Sequence, residues 1–491
     1  MYLPLTYGQR LRKIMQHNHL TVNDLCRKMG YRSPTQFNRI LNDEVSPALI
    51  TKFHHQFMLI FDWLISPAEI KALSASLQLS CLGEDSYLTR RAMHHMLFER
   101  PLVRAQSIPV QLFPETSGAS FTFDGLMREA AQYKQIELII IGSSYDPLFP
   151  LFSQLFSLFA PGQLTIRHYF VMEENPSRLI AQIAALEPFL NTSAYHGVYC
   201  TETEPDAASF LQCNAVAIAR GVRKDGSTGT TTFLPPQKGG VAACKMKDDT
   251  LFSFIAHQLS LYQDQLRPIK SVYAQPKTVQ SLLTLCQRDL FLEQNRENCF
   301  LRLDLCFHAL PTEIVLKAVD GGARLGLSLE DPLMQELIRV HGERYNNLLH
   351  KAEPTYIIMS PSAMKAFAET GHISDHLFAM RDFTPQERKA ILLPLLDALR
   401  ANDNLHVHLF RDETVEPVSC FCAYADVGLQ ISANHTAYNV AQDHGEVFVG
   451  LPALAQTFTS YCVDTLIPES CLSREESLAW LIALAEGIPE E

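Results

Sequence analysis

Apolar residues recur at helical spacing through the first hundred residues, a pattern that predicts a series of short helices. The predicted helices begin at about residues 8, 22, 34, 47, 67 and 86. Gly30 predicts a left-handed residue that ends the second helix. Thr21 with Asp24, and Ser33 with Gln36, have the spacing of reciprocal capping boxes. Four of the helices follow a Ser or Thr cap: Thr21, Ser33, Ser46 and Ser66.

The pattern of apolar residues changes after residues 100–118, where Pro101, Pro109 and Pro114 predict a linker. Beyond it, short β-branched runs alternate with helical segments, which predicts an α/β body with a mainly parallel sheet. The glycines of 226–232 and 239–240 predict a flexible hairpin region. Predicted strands cover 136–142, 164–172, 198–200 and 215–219, and predicted helices cover 149–159, 177–190 and 249–266.

A mostly helical middle is predicted next, followed by a second α/β stretch. On this basis we divide the body into a first α/β lobe (120–270), a helical segment (271–350) and a second α/β lobe with C-terminal helices (351–491). A weak sequence similarity relates Leu164–Phe170 to Leu405–Phe410. It leaves two interpretations open, a duplicated lobe or the general similarity of helix-turn-strand units.

The N-terminal residues differ in net charge from the rest of the chain. Residues 1–60 carry eight Lys or Arg and three acidic residues, a net charge of +5, which leaves −17 for the rest. A small basic module joined to a large acidic body indicates that one end meets phosphate and the other does not.

The run from Gly8 to Phe57 resembles the lambda-repressor-like, or XRE-type, helix-turn-helix family. The resemblance rests on Leu11 and Arg12 in helix one, on Thr21 to Cys26 in helix two, and on Phe37 and Ile40 in helix three. Cys26 takes the place of the family's small buried alanine, and Pro47 that of the proline before helix four. There are two departures: the turn of residues 30–33 is slightly longer than usual, and Asp43 replaces the common glycine after helix three.

The resemblance implies that the third helix enters the major groove of double-stranded DNA. Gln pairs well with adenine and Arg with guanine, and a threonine methyl contacts thymine. Phosphate contacts would position the module without reading sequence. The alternatives to DNA binding are an ordinary solvated polar helix face and a protein-interaction domain without DNA affinity. The predicted base-reading residues are Thr35, Gln36, Asn38 and Arg39, and the predicted phosphate contacts are Asn23, Lys28 and Arg32.

Residues 61–100 are predicted to be a helical connector that helps a homodimer form; the alternative is a simple packing extension of the DNA-binding module. We expect the body to sense a small-molecule or peptide effector, or to oligomerise. An effector that prefers one arrangement of the body would change the spacing of two paired modules.

Catalytic motifs are absent from the sequence. A duplicated α/β body invites comparison with the phospholipase-D-like fold, but the chain has no His-x-Lys motif, no P-loop, no His-Glu-x-x-His and no Gly-x-Ser-x-Gly. The loop with Ser143, Ser144 and Asp146 follows a predicted strand, where open α/β sheets bind ligands, and is the candidate ligand loop. Its alternative role is a helix cap.

The remaining features predict a cytoplasmic transcriptional regulator rather than an enzyme. The twelve cysteines lack a disulfide framework, and we predict no metal or cofactor, although His406 and His408 share a strand face. No run of 18 apolar residues predicts a membrane span. The alternative is an enzyme or phage-defence-type effector that carries a DNA-binding domain, with Asp146 and His376 as test positions.

Overall fold

The chain is divided into two compact units, residues 1–93 and 94–491. The structure is a computed structural model. It describes residues 3–31, 33–99, 109–113, 121–122, 133–142, 162–190, 192–213, 216–223, 225–237, 240–246, 248–273, 278–303, 305, 307–320, 330–373, 381–433 and 446–489.

The first unit is helical, as predicted. Phe53, Phe57 and Phe61 recur every four residues along its fourth helix and are fully buried at its centre. The fifth helix packs on the first and the fourth, so the compact unit extends past residue 60. A role of residues 61–100 in dimerisation stays a prediction. The helices are α1 (Tyr7–His17), α2 (Val22–Met29), α3 (Pro34–Leu41), α4 (Pro47–Phe61), α5 (Pro67–Leu82) and α6 (Glu84–Phe98), which runs on into the second unit.

The second unit contains two mixed sheets. The first has the order β2-β1-β8-β7-β6-β3-β4-β5-β9. Its strands are β1 (Pro109–Phe113), β2 (Phe121–Thr122), β3 (Gln135–Ile141), β4 (Leu164–Val171), β5 (Tyr195–Cys200), β6 (Val216–Val222), β7 (Thr228–Gln237), β8 (Gly240–Met246) and β9 (Arg267–Pro268).

The prediction of a mainly parallel sheet is wrong. Among the described strands of this sheet, only the pairs β1–β8, β3–β4 and β4–β5 are parallel, whereas β6, β7 and β8 form an antiparallel meander. The stretch predicted to be a flexible hairpin region supplies much of this meander, because its threonines favour extended backbone. Strand β1 also lies inside the predicted linker. Its Pro109 takes the first strand position, where a missing N–H is tolerated.

The second sheet has the order β10-β16-β15-β14-β11-β12-β13. It takes two strands from residues 271–350, so the separate helical segment predicted there belongs to the second lobe. Strand β11 has only four residues, too few to show a period. The strands are β10 (Ser271–Tyr273), β11 (Asn298–Leu301), β12 (Thr355–Met359), β13 (Leu405–Leu409), β14 (Ser419–Tyr424), β15 (Gly428–Ala433) and β16 (Glu446–Val449).

Six strands of each sheet share one order and one set of directions. The orders are β8-β7-β6-β3-β4-β5 and β16-β15-β14-β11-β12-β13; the last three strands of each are parallel, and the first three form an antiparallel meander. The weak similarity between Leu164–Phe170 and Leu405–Phe410 does not follow this match of strand orders. It pairs β4, the second parallel strand of its lobe, with β13, the third of the other.

Helices pack on both sheets and join the two lobes. Helix α7 is buried along most of its length and contacts α15 of the second lobe. Ser419 at the start of β14 donates a 3.0 Å hydrogen bond to Glu187 of α7. The helices are α7 (Pro176–Leu190), α8 (Pro205–Cys213), α9 (Thr250–Ser260), α10 (Val279–Glu293), α11 (Thr312–Asp320), α12 (Pro332–His350), α13 (Pro361–Thr370), α14 (Pro385–Ala401), α15 (Pro452–Tyr461), α16 (Ile467–Ser470) and α17 (Arg474–Gly487). The predicted helix 149–159 lies outside the described residues.

Candidate nucleic-acid interface

Helix α2 begins and ends as its sequence predicts. The Thr21 hydroxyl accepts the Asp24 N–H at 3.1 Å, and the Asp24 carboxylate accepts the Thr21 N–H at 3.2 Å, which completes the predicted capping box. Gly30 ends the helix in the left-handed conformation, with φ of 74°. This residue turns the chain toward α3 within four residues.

Helix α3 begins differently from the prediction. The Ser33 hydroxyl accepts the Thr35 N–H at 3.2 Å and donates to the Thr35 hydroxyl at 3.0 Å, so the capping box expected with Gln36 does not form. Pro34 occupies the first helical position, where its missing N–H costs nothing. The side chain of Gln36 is therefore not used for capping and lies on the exposed side of the helix.

Helix α3 is amphipathic. Phe37 and Ile40 are fully buried against the helical core, and Leu41 is nearly so. The four predicted base-reading residues are all exposed: Thr35, Gln36, Asn38 and Arg39. The Arg39 guanidinium donates to the Glu44 carbonyl at 3.1 Å, so it would have to leave that carbonyl to reach a base edge.

The predicted phosphate contacts have different surroundings. Asn23 is exposed in the first turn of α2. The Lys28 ammonium lies 5.5 Å from the ring centroid of Phe61 and 5.9 Å from that of Trp63, a cation–π arrangement at the end of α4. Arg32 lies outside the described residues. Thus one of the two described contacts faces aromatic rings.

The N-terminus of α2 already holds a carboxylate. Hydrogen bonds from the Thr21 side chain and backbone lower the pKa of Asp24, so this group is ionised at neutral pH. A helix N-terminus attracts anions. A DNA phosphate approaching α2 would therefore meet the negative charge of Asp24.

The candidate ligand loop with Ser143, Ser144 and Asp146 lies outside the described residues, as does His376. The described residue just before the loop is Gly142, whose carbonyl is 2.9 Å from His168 Nε2. His168 Nδ1 is 2.9 Å from the Tyr195 hydroxyl. Because a carbonyl only accepts, Nε2 carries the proton and donates it, and the neutral ring accepts from Tyr195 at Nδ1. Burial lowers the pKa of His168 to about 4.

We expect this histidine to make the first lobe sensitive to acid. An unfolded chain binds the proton below pH 6.5, whereas folded His168 binds it only near pH 4, so stability falls as the pH drops between these values. The expected loss by pH 4 is about 3 kcal/mol. The readout is the urea dependence of hydrogen exchange in β4, measured at pH 7 and at pH 4.5.

The matched variant is His168→Gln, which can donate to Gly142 and accept from Tyr195 but does not titrate. We expect its stability to change less between the two pH values. Equal losses in both proteins would show that His168 is not the cause.

The second lobe contains an ionic cluster that the sequence analysis missed. It consists of Arg288, Asp289, Glu293, Arg344 and Glu446, four of them less than 9% exposed. Arg344 forms a bidentate pair with Glu293, at 3.0 and 2.6 Å, and lies 3.3 Å from Asp289. Arg288 Nη2 lies 2.8 Å from Glu446. Burial raises the pKa of Asp289 and of Glu446, which disfavours their charges unless the arginines are present.

No spacing rule could have found this cluster, because its members come from three separate elements. Asp289 and Glu293 lie one turn apart on α10, Arg344 lies on α12, and Glu446 begins β16. Arg302 adds a third positive charge near Glu446. Among the described residues, three arginines then lie near three carboxylates, so the charges of the cluster largely offset one another.

The described residues also bear on metal binding and membrane insertion. No group of three His, Cys, Asp or Glu side chains there is arranged to hold a metal ion. The rings of His406 and His408 are parallel, with centroids 6.4 Å apart, and His408 is tied to the Leu472 carbonyl. None of the described helices combines the length and the apolar character needed to cross a bilayer.

Comparison with known proteins adds little. No family model and no curated protein matches the chain. The solved structure of phosphatidylserine synthase from Haemophilus influenzae matches 81% of this chain and 97% of that one, with 12% identity and a TM-score of 0.23. At that TM-score the match supports neither a shared fold nor a shared activity.

Proposed function

We propose that the chain is a sequence-specific DNA-binding regulator of the XRE type, in which α3 reads base edges in the major groove. The supporting observation is the amphipathic α3, which buries Phe37 and Ile40 and exposes Thr35, Gln36, Asn38 and Arg39. The exposed residue types can pair with bases through hydrogen bonds and a methyl contact.

The charge distribution supports the same proposal. The net charge of +5 in residues 1–60 would attract duplex DNA, while the acidic body would be repelled by it. Three of the eight basic residues behind this charge lie on α1: Arg10, Arg12 and Lys13. We further propose a homodimer that meets two half-sites, with an effector bound by the two-lobed body. The common strand order of the lobes supports their origin by duplication.

The first test is selection of duplexes from a random library by the full-length protein. The proposal predicts enrichment of an inverted repeat and binding that weakens steeply with salt, because bound phosphates release counterions. An absence of enrichment at low salt would refute the proposal. Failure to retain duplex DNA at any salt concentration would instead favour the protein-interaction alternative.

We expect Gln36→Ala and Arg39→Ala each to weaken binding to the selected duplex by about 1–3 kcal/mol and to relax the preference at one base pair. Each removes a side chain of the exposed α3 face, so the loss follows from a missing base contact. Competition binding against single-base variants of the duplex measures both effects.

Matched controls lie on other helices of the same unit. Gln16→Ala and Lys71→Ala remove the same kinds of group from exposed positions on α1 and α5. We expect them to leave the base preference unchanged. If Arg39→Ala behaves like Lys71→Ala at every base pair, Arg39 is not a base-reading residue.

A further inference from the structure

Asp43, in the loop after α3, has an unusual backbone conformation. Its φ is 56°, in the left-handed region that residues with a Cβ rarely occupy. Glycine enters this region without strain, and Asp enters it more readily than most residues with a Cβ. Compared with glycine, Asp43 gains the contacts of its side chain.

The gain is a pair of contacts to the start of α1. The Asp43 carboxylate accepts the Gly8 N–H at 2.9 Å and the Thr6 hydroxyl. The Gly8 N–H belongs to the first turn of α1, where N–H groups lack helical partners and the helix dipole favours a negative charge. A side chain 35 residues away thus adds a second cap to α1, beside the Thr6–Gln9 capping box.

The backbones of α1 and α3 touch at the same place. A Cβ on Gly8 would lie 2.1 Å from the Leu41 carbonyl oxygen and 2.8 Å from that of Ile40. The neighbouring Tyr7 N–H donates to the Ser80 hydroxyl of α5 at 2.9 Å. The N-terminus of α1 is therefore fixed both to the end of α3 and to α5.

We infer that Asp43 is a positioning residue that holds α3 in the orientation required to read DNA. The inference rests on the proposed function and assigns a part of it to a residue that touches no base. The cap fixes the C-terminal end of α3 against α1, so that the exposed side chains at its N-terminal end keep one orientation. Without the Asp43 contacts, the N-terminal end of α3 can tilt.

The test compares Asp43→Gly, Asp43→Asn and Glu44→Gln in the full-length protein. Asp43→Gly relieves the backbone strain but removes the cap, whereas Asp43→Asn keeps an acceptor for the Gly8 N–H. Glu44→Gln removes a neighbouring exposed carboxylate and so controls for the change of charge. The readouts are hydrogen exchange of α3 and the base preference of the selected duplex.

We expect α3 to exchange at least tenfold faster in Asp43→Gly than in the wild type, with an intermediate rate in Asp43→Asn and no change in Glu44→Gln. The affinity of Asp43→Gly for the selected duplex should fall at least tenfold and its base preference should broaden. Unchanged exchange in α3, or an unchanged base preference at equal affinity, overturns the inference. If the wild type enriches no duplex, the proposed function and the reading role fail together, while exchange still decides whether Asp43 holds α3.

Discussion

Replacing Arg344 by Met should destabilise the second lobe by about 3–5 kcal/mol. Arg344 is 2% exposed and supplies the bidentate partner of Glu293 and a contact to Asp289. Methionine fills much of the volume but leaves two buried carboxylates without that cation. The carboxylates must then take up protons or draw in water, and either response opposes folding.

The matched control is Arg339→Met on the same helix. Arg339 is about half exposed and pairs with Glu336 and Glu343 at the surface. Such exposed pairs contribute little to stability, because water and salt screen them. The difference between the two variants therefore isolates burial, because the helix and the substitution are the same.

The chain offers a selective probe for this measurement. Its two tryptophans are Trp63 in the first unit and Trp480, which packs against the core of the second lobe. In a Trp63→Phe background, Trp480 fluorescence reports the urea unfolding of that lobe. The Arg344→Met deficit should shrink as the pH falls, because burial already raises the pKa of Asp289 and its protonation removes an uncompensated charge. A deficit no larger than that of Arg339→Met would show that the cluster is solvated.

The helical unit could be predicted from the sequence because its signals are local. Each capping residue, the Gly30 stop and the apolar spacing of α1 to α4 lie within one or two turns of chain. The error at α3 was also local: Ser33 had a choice of N–H partners and took that of Thr35 instead of that of Gln36.

The body was predicted less well because its organisation depends on distant partners. The short β-branched runs of β3 and β4 predicted strands, but whether a neighbouring strand is parallel or antiparallel depends on pairing across the sheet. β11 and the ionic cluster show the same limit. A four-residue central strand and a set of charges from three elements show no periodicity in the sequence, so they can be recognised only in the folded structure.

The close approach of α1 to the end of α3 at Gly8 gives the second large effect. We expect Gly8→Ala to destabilise this unit by about 2–3 kcal/mol, at the upper end of the usual cost of overpacking. The added methyl would lie 2.1 Å from the Leu41 carbonyl oxygen and 2.6 Å from its carbon. Backbone cannot rotate away as a side chain can, so α1 and α3 must separate. Alanine's better helix propensity returns about 1 kcal/mol and is outweighed.

Gly342→Ala on α12 is the control. Its Cβ would meet only the Thr312 hydroxyl, at 3.7 Å, which is ordinary contact, so the same substitution should be neutral or stabilising there. Hydrogen exchange in α1 and α3 measures the first effect, and retention of the selected duplex measures its consequence. Because α3 shifts with the separation, Gly8→Ala should also lose at least tenfold in DNA affinity. A variant that exchanges faster yet binds as well as the wild type would mean that α3 reaches DNA independently of α1, and would count against Asp43 as a positioning residue too.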